Sequence, residues 1–373
     1  MMKRFISVMV LSLAVLIVAT GLTTVAMAQS DAARLIYESA ATVKTNIPGI
    51  HMFPAPPAGF EALKATDETL AAYGLPPRPD PQANAKGYAM WARAMRGARN
   101  RANPELKLHP EASSHPMMPA RNPAGTQSNA TAAPTYATSY NWSGVANTNS
   151  LTKWNAKTSF YNVYSEFNVP VVQQAFDVCD GGYDWEVTWN GIDGWKNGTV
   201  LQGGSSSQAY CKSNKPKQTY YAWVEWYPSY PIVEVFSVNP GDDIYVETYS
   251  TSGGCNPGYV FVEDETTLAY GTYEIYWETG PCLVGSSAEI IAERPGYSGG
   301  LYPLANYIWD FALSWDYNLK GTEFGPGATT PTTFVIDMID DGDTQIISYV
   351  EQEGKYSVWF WDTGCAYTGG CTP

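Results

Sequence analysis

The sequence predicts an all-β protein, an antiparallel β-sandwich of two curved sheets, preceded by a Pro/Ala-rich segment with some helix. After Tyr136 the chain consists of short runs rich in β-branched and aromatic residues, with turns between them and no long amphipathic stretch. Many short strands without crossover helices favour an antiparallel sandwich over a parallel sheet. Composition changes at the same place, because all 3 His and 14 of the 26 Pro precede Tyr136, whereas all 6 Cys and 12 of the 13 Trp follow it.

The first predicted element is a secretory signal peptide over residues 1–28. Lys3 and Arg4 precede an apolar run that begins at Phe5, and an A-x-A cleavage site follows at 26–28. A membrane anchor is the alternative, because the run approaches the length of a short spanning helix. No later stretch is long and apolar enough to span a bilayer. We therefore expect a secreted, extracellular protein that makes no membrane contact after signal cleavage.

Residues 29–135 are predicted to be a pro-segment and linker. They carry 11 Lys+Arg and 8 Asp+Glu, whereas residues 136–373 carry 9 and 28, so a mildly basic segment precedes an acidic domain. The clearest element is a helix over Gly87–Ala102, with apolar residues at helical spacing and arginines between them. This arrangement suggests an intramolecular inhibitor held by charge, with a solvated linker helix as the alternative. The small, polar run Arg121–Ser139 is predicted to be the linker and processing region.

Residues 136–373 are predicted to form the sandwich itself. The runs that alternate between two faces are Thr158–Val169, Thr219–Tyr227, Asp243–Tyr249, Gly258–Glu263, Tyr273–Glu278, Thr332–Met338 and Tyr356–Trp361. An even number of cysteines in an exported domain predicts disulfides. Sequence order suggests the pairs Cys179 with Cys211, Cys255 with Cys282 and Cys365 with Cys371, although other connectivities remain open.

The residue inventory restricts the chemistry. The net charge of −14 argues against a nucleic-acid partner. No histidine follows Tyr136, so an enzyme domain there has no imidazole base, no Ser-His-Asp triad and no imidazole metal ligand. Asp362-Thr363-Gly364 matches the D-T-G of aspartic peptidases, but there is no second copy, so a turn that closes the last strand is the better interpretation.

Carboxylate chemistry remains, and three segments concentrate polar groups among aromatic residues. They are WNGIDG (189–194) followed by VLQGG (200–204), YAWVEWYP (221–228) and SAEIIAE (287–293). In the last segment Glu289 and Glu293 share one face of a predicted strand. A glutamate in an apolar strand resists ionisation, as a general acid or base at acid pH must. Gln202 could instead be a turn amide, and Glu225 and Glu289 could be outward-facing charges.

Together these segments resemble the glutamic peptidases, or eqolisins, which include scytalidoglutamic and aspergilloglutamic peptidase. The resemblance begins at SYNWSG (139–144), is strongest at 220–228 and ends near residue 293. It implies a concanavalin A-like or lectin-like sandwich, a monomer, no cofactor and no metal. It also implies that protein and peptide substrates are hydrolysed in acid without sensitivity to pepstatin.

The resemblance also assigns residues. It places the catalytic pair at Gln202 and Glu289, with the glutamate activating water and the glutamine stabilising the tetrahedral intermediate. The other residues that it assigns to the cleft are Trp189, Asp193, Trp223, Glu225 and Tyr227. This chain departs from the family at Tyr221, where Asp is frequent.

Two other functions remain open at the level of sequence. One is a non-catalytic, lectin-like polysaccharide-binding module, since an aromatic concave sheet also stacks on sugars. The other is a glycosidase that uses Glu225 and Glu289 as its carboxylate pair. A zymogen mechanism follows from the charges: below pH ~4 the carboxylates are protonated and the histidines are charged, which weakens the attraction between pro-segment and domain.

Overall fold

The computed structural model describes residues 40–98, 100–103, 105–120, 134–175, 179, 182–318, 322–327 and 332–364. The predicted signal peptide, most of the predicted linker, Cys365 and Cys371 lie outside these ranges. No helix within the described residues is long and apolar enough to cross a membrane.

The described part of the predicted pro-segment contains short elements only. A 3₁₀ turn spans Ala62–Lys64, and the helices are α1 (Asp67–Ala72) and α2 (Ala85–Gly97). Its strands are β1 (Val43–Lys44), β2 (Ile50–Met52), β3 (Asn100–Arg101) and β4 (Lys107–Leu108). The predicted helix is confirmed with shifted bounds. It begins at Ala85 because the Asn84 side chain accepts a hydrogen bond from Gly87 N at 2.8 Å and caps it, and it ends at Gly97, before β3.

Twenty further strands follow in the described residues. The first half comprises β5 (Thr135–Ser139), β6 (Trp142–Thr148), β7 (Phe160–Asn168), β8 (Val172–Gln173), β9 (Tyr183–Ile192), β10 (Val200–Lys212), β11 (Lys215–Tyr227), β12 (Val233–Ser237), β13 (Asp243–Tyr249) and β14 (Gly258–Asp264). The second half comprises β15 (Ala269–Ile275), β16 (Ser287–Glu293), β17 (Gly296–Tyr297), β18 (Gly300–Leu301), β19 (Asn306–Tyr307), β20 (Trp309–Asn318), β21 (Glu323–Phe324), β22 (Thr333–Ile339), β23 (Ile346–Glu353) and β24 (Ser357–Asp362).

Two sheets, antiparallel except at two edge pairings, build the sandwich, and the pairing of β22 with β23 joins them at one edge. The site sheet has the order β4-β12-β11-β10-β9-β16-β6-β22-β5, and the back sheet has the order β1-β2-β15-β14-β13-β7-β20-β24-β23. The exceptions are β5, which runs parallel to β22, and β3, which runs parallel to β15. The predicted all-β sandwich is therefore confirmed.

The main core lies between the two sheets. On β16 the side chains of Ala288, Ile290 and Ala292 enter this core, whereas Ile291 belongs to a second cluster on the outer face of the site sheet. This alternation is the period of two that a strand requires. It places Glu289 and Glu293 on the outer face, which carries the candidate site.

Two predicted boundaries are wrong for local reasons. The strand predicted at Tyr273–Glu278 is β15, which begins at Ala269, because Asp264 accepts hydrogen bonds from the amides of Thr266 and Thr267 and closes a tight hairpin. Thr135–Ser139, placed in the linker by its polar composition, forms β5 along β22. Backbone pairing with a neighbouring strand outweighs local composition in both cases.

The predicted pro-segment contacts the sandwich through strand pairing and apolar packing as well as through ion pairs. Strands β2 and β3 pair with β15, and β4 pairs with β12, so the segment extends both sheets at their edges. Met90, Trp91 and Met95 of α2 are buried against aromatic side chains on the outer face of the back sheet. Burial of each such side chain is worth about 1.5–3 kcal/mol. The predicted ion pairs are also present, as between Arg93 and Glu265 at 3.0 Å.

Two disulfides of the predicted set lie within the described residues. Cys179 is bonded to Cys211, and Cys255 is bonded to Cys282. Both pairs follow sequence order, as expected. The first ties β10 to the loop before β9, and the second joins the loop before β14 to the loop before β16, which limits the freedom of the unfolded chain.

Candidate active site

The site is centred on Gln202 of β10 and Glu225 of β11, which lie directly opposite each other across the two strands. A two-residue turn fixes this register, because Ser213 and Asn214 both have positive φ, 53° and 59°, as a type I′ turn requires. Gln202 Nε2 donates to Glu225 Oε2 at 3.2 Å. Both side chains are completely buried. Burial raises the pKa of Glu225 well above its usual range.

A second carboxyl reaches the site from β16. Glu293 Oε2 accepts a hydrogen bond from Trp189 Nε1 at 2.9 Å, and Oε1 accepts one from Asn141 Nδ2 at 3.0 Å. Burial raises the pKa of Glu293 to about 8, although these donors oppose the shift. A carboxyl of this kind holds a proton at neutral pH, so it can act as an acid as well as a base.

A stretch of the predicted pro-segment, residues 113–115, occupies the space between these groups. Ser113 pairs with Gly296 through two backbone hydrogen bonds, of 3.0 and 2.8 Å. The carbonyl oxygen of His115 accepts from Trp142 Nε1 at 2.9 Å, and its ring lies 4.9 Å from that of Tyr227. Residues 113–115 therefore lie extended across the outer face of the site sheet.

Ser114 makes the central contacts. Its amide donates to Glu225 Oε2 at 2.9 Å, and its carbonyl oxygen accepts from Gln202 Nε2 at 3.2 Å. Its hydroxyl lies 3.1 Å from Gln202 Oε1 and also hydrogen-bonds Glu293 Oε2. The following amide, that of His115, donates to Glu293 Oε1 at 2.9 Å. The peptide unit between Ser114 and His115 thus bridges Gln202 and Glu293.

Glu289, the predicted partner of Gln202, lies apart from these contacts. Both residues are paired with Gly191 on the intervening strand β9, one on each side of it. The Trp189 ring lies over Gly191, where a Cβ would fall 2.8 Å from its Cζ3 and 3.1 Å from Gln202 Cβ. Within the described residues no hydrogen bond of good geometry reaches the carboxylate of Glu289, although the Ser287 hydroxyl and the Trp195 amide face it. Burial, followed by the charges of Asp193 and Asp316, raises its pKa.

Asp193 supports the backbone and touches none of the central groups by hydrogen bonding in the described part of the chain. It is buried, has a φ of 70°, and accepts hydrogen bonds from the amides of Val284, Gly285 and Ser286. These contacts anchor the loop that enters β16 and so fix where its glutamates lie. Asp193 therefore acts on the site through the position of β16.

The remaining predicted residues line the site. Trp189 and Trp223 belong to the aromatic cluster on the outer face of the site sheet, and Tyr227 is half-buried at its edge. Tyr221, which stands where the family often has Asp, stacks on His109 with centroids 4.8 Å apart and planes 5° from parallel. At this position a contact with the pro-segment replaces a carboxylate.

The D-T-G segment has no place in this arrangement. Asp362 ends β24 in the back sheet, and the Thr363 hydroxyl donates to the carbonyl of Ile346 at 2.8 Å. The segment closes β24, as was predicted from the lack of a second D-T-G in the sequence. It lies at the end of a strand of the back sheet, whereas Gln202 and Glu293 lie in the site sheet.

Comparison with known families identifies the chain. Residues 140–353, which include Gln202, Glu225 and Glu293, match the model of the Peptidase A4 family. The chain belongs to this family. It is therefore a glutamic peptidase, an endopeptidase that hydrolyses peptide bonds of proteins, and the sugar-binding and glycosidase alternatives lose their support. No curated protein matches the sequence.

Solved structures of glutamic peptidases resemble this one. Scytalido-glutamic peptidase with a transition state analog inhibitor is 20% identical, with 60% of this chain and 98% of that chain covered and a TM-score of 0.45. SCP-B, a member of the eqolisin family in complex with the tripeptide Ala-Ile-His, gives the same values. Aspergilloglutamic peptidase from Aspergillus niger is 24% identical over 48% of this chain and 99% of that chain, with a TM-score of 0.39.

Sequence reasoning missed three of the groups that meet in this peptidase. Glu293 shares a face with Glu289, and the spacing of four residues in a strand offered no reason to prefer it. Asn141 stands within the SYNWSG segment but carried no assigned role. Ser114 lies in the pro-segment, where nothing in its polar surroundings marks it, because its contacts span 88 residues to Gln202 and 179 to Glu293.

Proposed function

We propose that this peptidase is a secreted, acid-acting zymogen with Gln202 and Glu293 as its catalytic pair. The observation that carries the proposal is the peptide bond between Ser114 and His115, whose carbonyl oxygen meets the glutamine and whose nitrogen meets the glutamate. A substrate bond held in this way has an oxyanion donor at one end and a proton donor at the other. The resemblance assigns the acid to Glu289, whereas these hydrogen bonds favour Glu293.

The reaction follows from these positions. Departure of residues 113–115 admits solvent to Glu293, which lowers its pKa. Glu293 as carboxylate then takes a proton from a water molecule, which attacks the carbonyl carbon of the scissile bond. Gln202 Nε2 donates to the developing oxyanion, a contribution of about 3 kcal/mol for one such donor. Glu293 then returns the proton to the leaving nitrogen. Because the glutamine amide is neutral at any pH, this donor persists in acid.

Glu225 is a positioning residue in this scheme. Its Oε2 accepts from Gln202 Nε2, so the amide hydrogen not used by the substrate is already satisfied. The arrangement holds the amide plane with its second hydrogen directed at the carbonyl oxygen of residue 114. The side chain therefore needs no reorganisation when negative charge develops on that oxygen.

The domain organisation is part of the proposal. We assign residues 1–28 to a signal peptide, 29–135 to an inhibitory pro-segment with its linker, and 136–373 to the peptidase domain. The contacts of residues 113–115 across the site support inhibition by the pro-segment. Two disulfides are consistent with an exported protein.

Activation by acid follows from ion pairs between pro-segment and domain. Glu234 accepts hydrogen bonds from Lys107 Nζ and His109 Nε2, each at 2.9 Å. Burial opposes them, but together these partners hold the pKa of Glu234 below its usual range. A depressed pKa stabilises the contact above the ordinary pKa of a glutamate, and the stabilisation is lost as the pH falls through the lowered value. The contact therefore weakens below about pH 4.

The test compares single variants of the full chain. Each purified precursor is brought from pH 7 to pH 3.5, and hydrolysis of a denatured protein substrate is measured with pepstatin present. Q202A and E293Q should each lose at least about 100-fold in rate. E289Q is the matched control on the same strand and should remain active. Loss of activity in E289Q with retention in E293Q would reassign the acid to Glu289, and full activity in Q202A would refute the dyad.

A further inference from the structure

The predicted pro-segment consists of two parts that contact different sheets. Residues 40–103, which we call the back-sheet segment, pair with the edge of the back sheet and cover its outer face. Residues 105–120, which we call the site segment, pair with the edge of the site sheet and cross its outer face. Because the two parts lie on opposite sides of the sandwich, one can leave while the other stays.

The back-sheet segment completes the edge of the back sheet. Strand β15 pairs with β14 on one side, and on the other side β2 runs antiparallel and β3 parallel to it. The amide of Ala102 also donates to the carbonyl of Tyr270 at 2.7 Å. The side chains of Ile50 and Met52 are completely buried in the main core between the sheets. Departure of this segment would open the core and leave β15 with an unpaired edge, which favours aggregation.

Helix α2 of the same segment covers an aromatic face. Met90, Trp91 and Met95 are buried there, and the Asn84 side chain that caps the helix donates from Nδ2 to Tyr164 Oη at 2.8 Å. Exposed together, the rings beneath the helix would form a contiguous apolar patch of the kind that soluble proteins keep covered. The domain side chains of this cluster are Tyr164, Tyr245, Phe261, Tyr270 and Trp315.

One carboxyl beneath α2 favours the covered state in acid. A Cβ on Gly97 would fall 2.5 Å from Glu263 Oε1, so the end of the helix lies directly on this side chain. Within the described residues neither carboxyl oxygen has a hydrogen-bond partner, and burial raises the pKa of Glu263 well above its usual range. A group with a raised pKa stabilises the folded contact below its ordinary pKa, and this stabilisation is lost as the pH rises. The contact is therefore complete in acid.

Acid weakens the ion pairs of both segments, but only the site segment depends on them. The ion pairs of the back-sheet segment with the domain are Arg93 with Glu166, Arg93 with Glu265 and His51 with Glu274. Arg93 is half-exposed, and such surface pairs contribute little. In the described part of the site segment the buried apolar side chains are Leu106 and Ala112 alone. The release in acid at Glu234 thus concerns the site segment.

We propose that residues 40–103 stay bound to the peptidase domain after activation, as a second, non-covalently held chain of the active enzyme, and that only the site segment leaves its place. This inference refines the proposed zymogen mechanism and rests on it for the cleavage alone. The cleaved bond lies after residue 103 and before β5. Water adds its hydroxyl to the carbonyl carbon and its hydrogen to the nitrogen, which gives the first chain a carboxyl end and the domain an amino end.

The experiment makes the cut independent of the enzyme's own activity. The full-length precursor carries Q202A, which prevents self-digestion, and the recognition sequence of a sequence-specific protease in place of residues 121–127. After cleavage at pH 7, gel filtration at pH 7 and at pH 3.5 separates bound from free fragment, and the mass of the denatured fractions identifies the chains. We expect the amino-terminal fragment to remain equimolar with the domain at both pH values and to separate only in denaturant.

Two substitutions in α2 distinguish apolar packing from charge. M95A removes a buried side chain and should weaken the association at pH 3.5 by at least about tenfold. R93A, on the same helix, removes ion pairs only and should bind as the unsubstituted fragment does. If M95A does not fold, the retention of the unsubstituted fragment at pH 3.5 still decides the inference.

The outcomes separate this inference from the proposed function. Dissociation of the unsubstituted fragment at pH 3.5, or equal weakening by R93A and M95A, overturns the inference. Wild-type enzyme that has processed itself in acid should contain an equimolar fragment that ends at or after residue 103, and active enzyme without this fragment also overturns it. If the wild type hydrolyses no protein substrate in acid, the proposed function fails, whereas retention of the fragment in the cleaved Q202A protein still supports the inference.

Discussion

Gln202 and Glu225 form a directly opposed cross-strand pair, with Nε2 of the glutamine 3.2 Å from Oε2 of the glutamate. Neither residue is exposed to solvent. The glutamate accepts the amide hydrogen that does not face the scissile carbonyl, and so it selects one of the two orientations of the amide. The activity of Gln202 should therefore depend on a residue that need not touch the substrate carbonyl.

The first prediction concerns this pair. E225A should lower kcat by about 10-fold or more, with a smaller change in KM. A misoriented Gln202 amide no longer stabilises the oxyanion, and that hydrogen bond contributes mainly in the transition state. E225Q retains one acceptor oxygen and should recover part of the loss. Steady-state kinetics of the processed enzymes at pH 3.5 measure both constants. If E225A and E225Q raised KM equally and left kcat unchanged, that result would contradict a positioning role for Glu225.

The second prediction concerns the indole that holds Glu293. In W189F the hydrogen bond from Nε1 to Oε2 is lost, while the ring can still pack edge-on against Trp142. Loss of a donor to the charged form raises the pKa of Glu293. The acid limb of the kcat profile should therefore move to higher pH, with about a tenfold loss near pH 3. An unchanged profile would show that Trp189 serves packing alone.

The third prediction concerns the pH dependence of stability. Burial raises the pKa of Glu186 and of Glu247 to about 8, above the unfolded value of about 4.3. The folded state then holds protons that the unfolded state has lost, so stability is complete below the unfolded pKa and declines as the pH rises towards 8. The thermal midpoint should be higher at pH 4 than at pH 8.

Calorimetry on the E293Q background, which prevents self-digestion, measures this difference. Glu186 provides the matched test, because Thr188 Oγ1 lies within hydrogen-bonding distance of both its carboxyl and that of Asp310. Adding E186Q to that background should raise the midpoint at pH 8 and leave it nearly unchanged at pH 4. A stability maximum at pH 8 in the parent would exclude the buried carboxyls as the main cause of the pH dependence.

The fourth prediction concerns the acid trigger. E234Q removes the charge that Lys107 and His109 contact, so the pro-segment should be released at a higher pH than in the wild type. E351Q changes the net charge equally at an exposed position of β23 and should process like the wild type. The measurement is the pH at which half of the precursor is processed in a fixed time. Identical midpoints for all three proteins would assign the trigger to other groups.

The predicted strands show why most of the fold can be inferred from sequence. The pattern predicts Asp243–Tyr249 with the bounds that β13 has, because alternation of faces and flanking turns are local signals. The strand predicted at Tyr273–Glu278 is displaced because its start depends on a hairpin turn and on the neighbour β14. Long-range pairing carries no local signature.

By itself the sequence determined the class of fold, the two disulfides within the described residues, the family and the two strand faces that carry Gln202 and the glutamates of β16. Tertiary structure decided which glutamate of β16 hydrogen-bonds Ser114 and His115 beside Gln202, since residues four apart on one strand are equivalent until β9, Trp189 and Asn141 surround them. It also decided that Ser114 lies between the two groups. Residues distant in sequence meet only after the sheets have formed. Their burial then raises the pKa of Glu293, which the composition of the chain could not indicate.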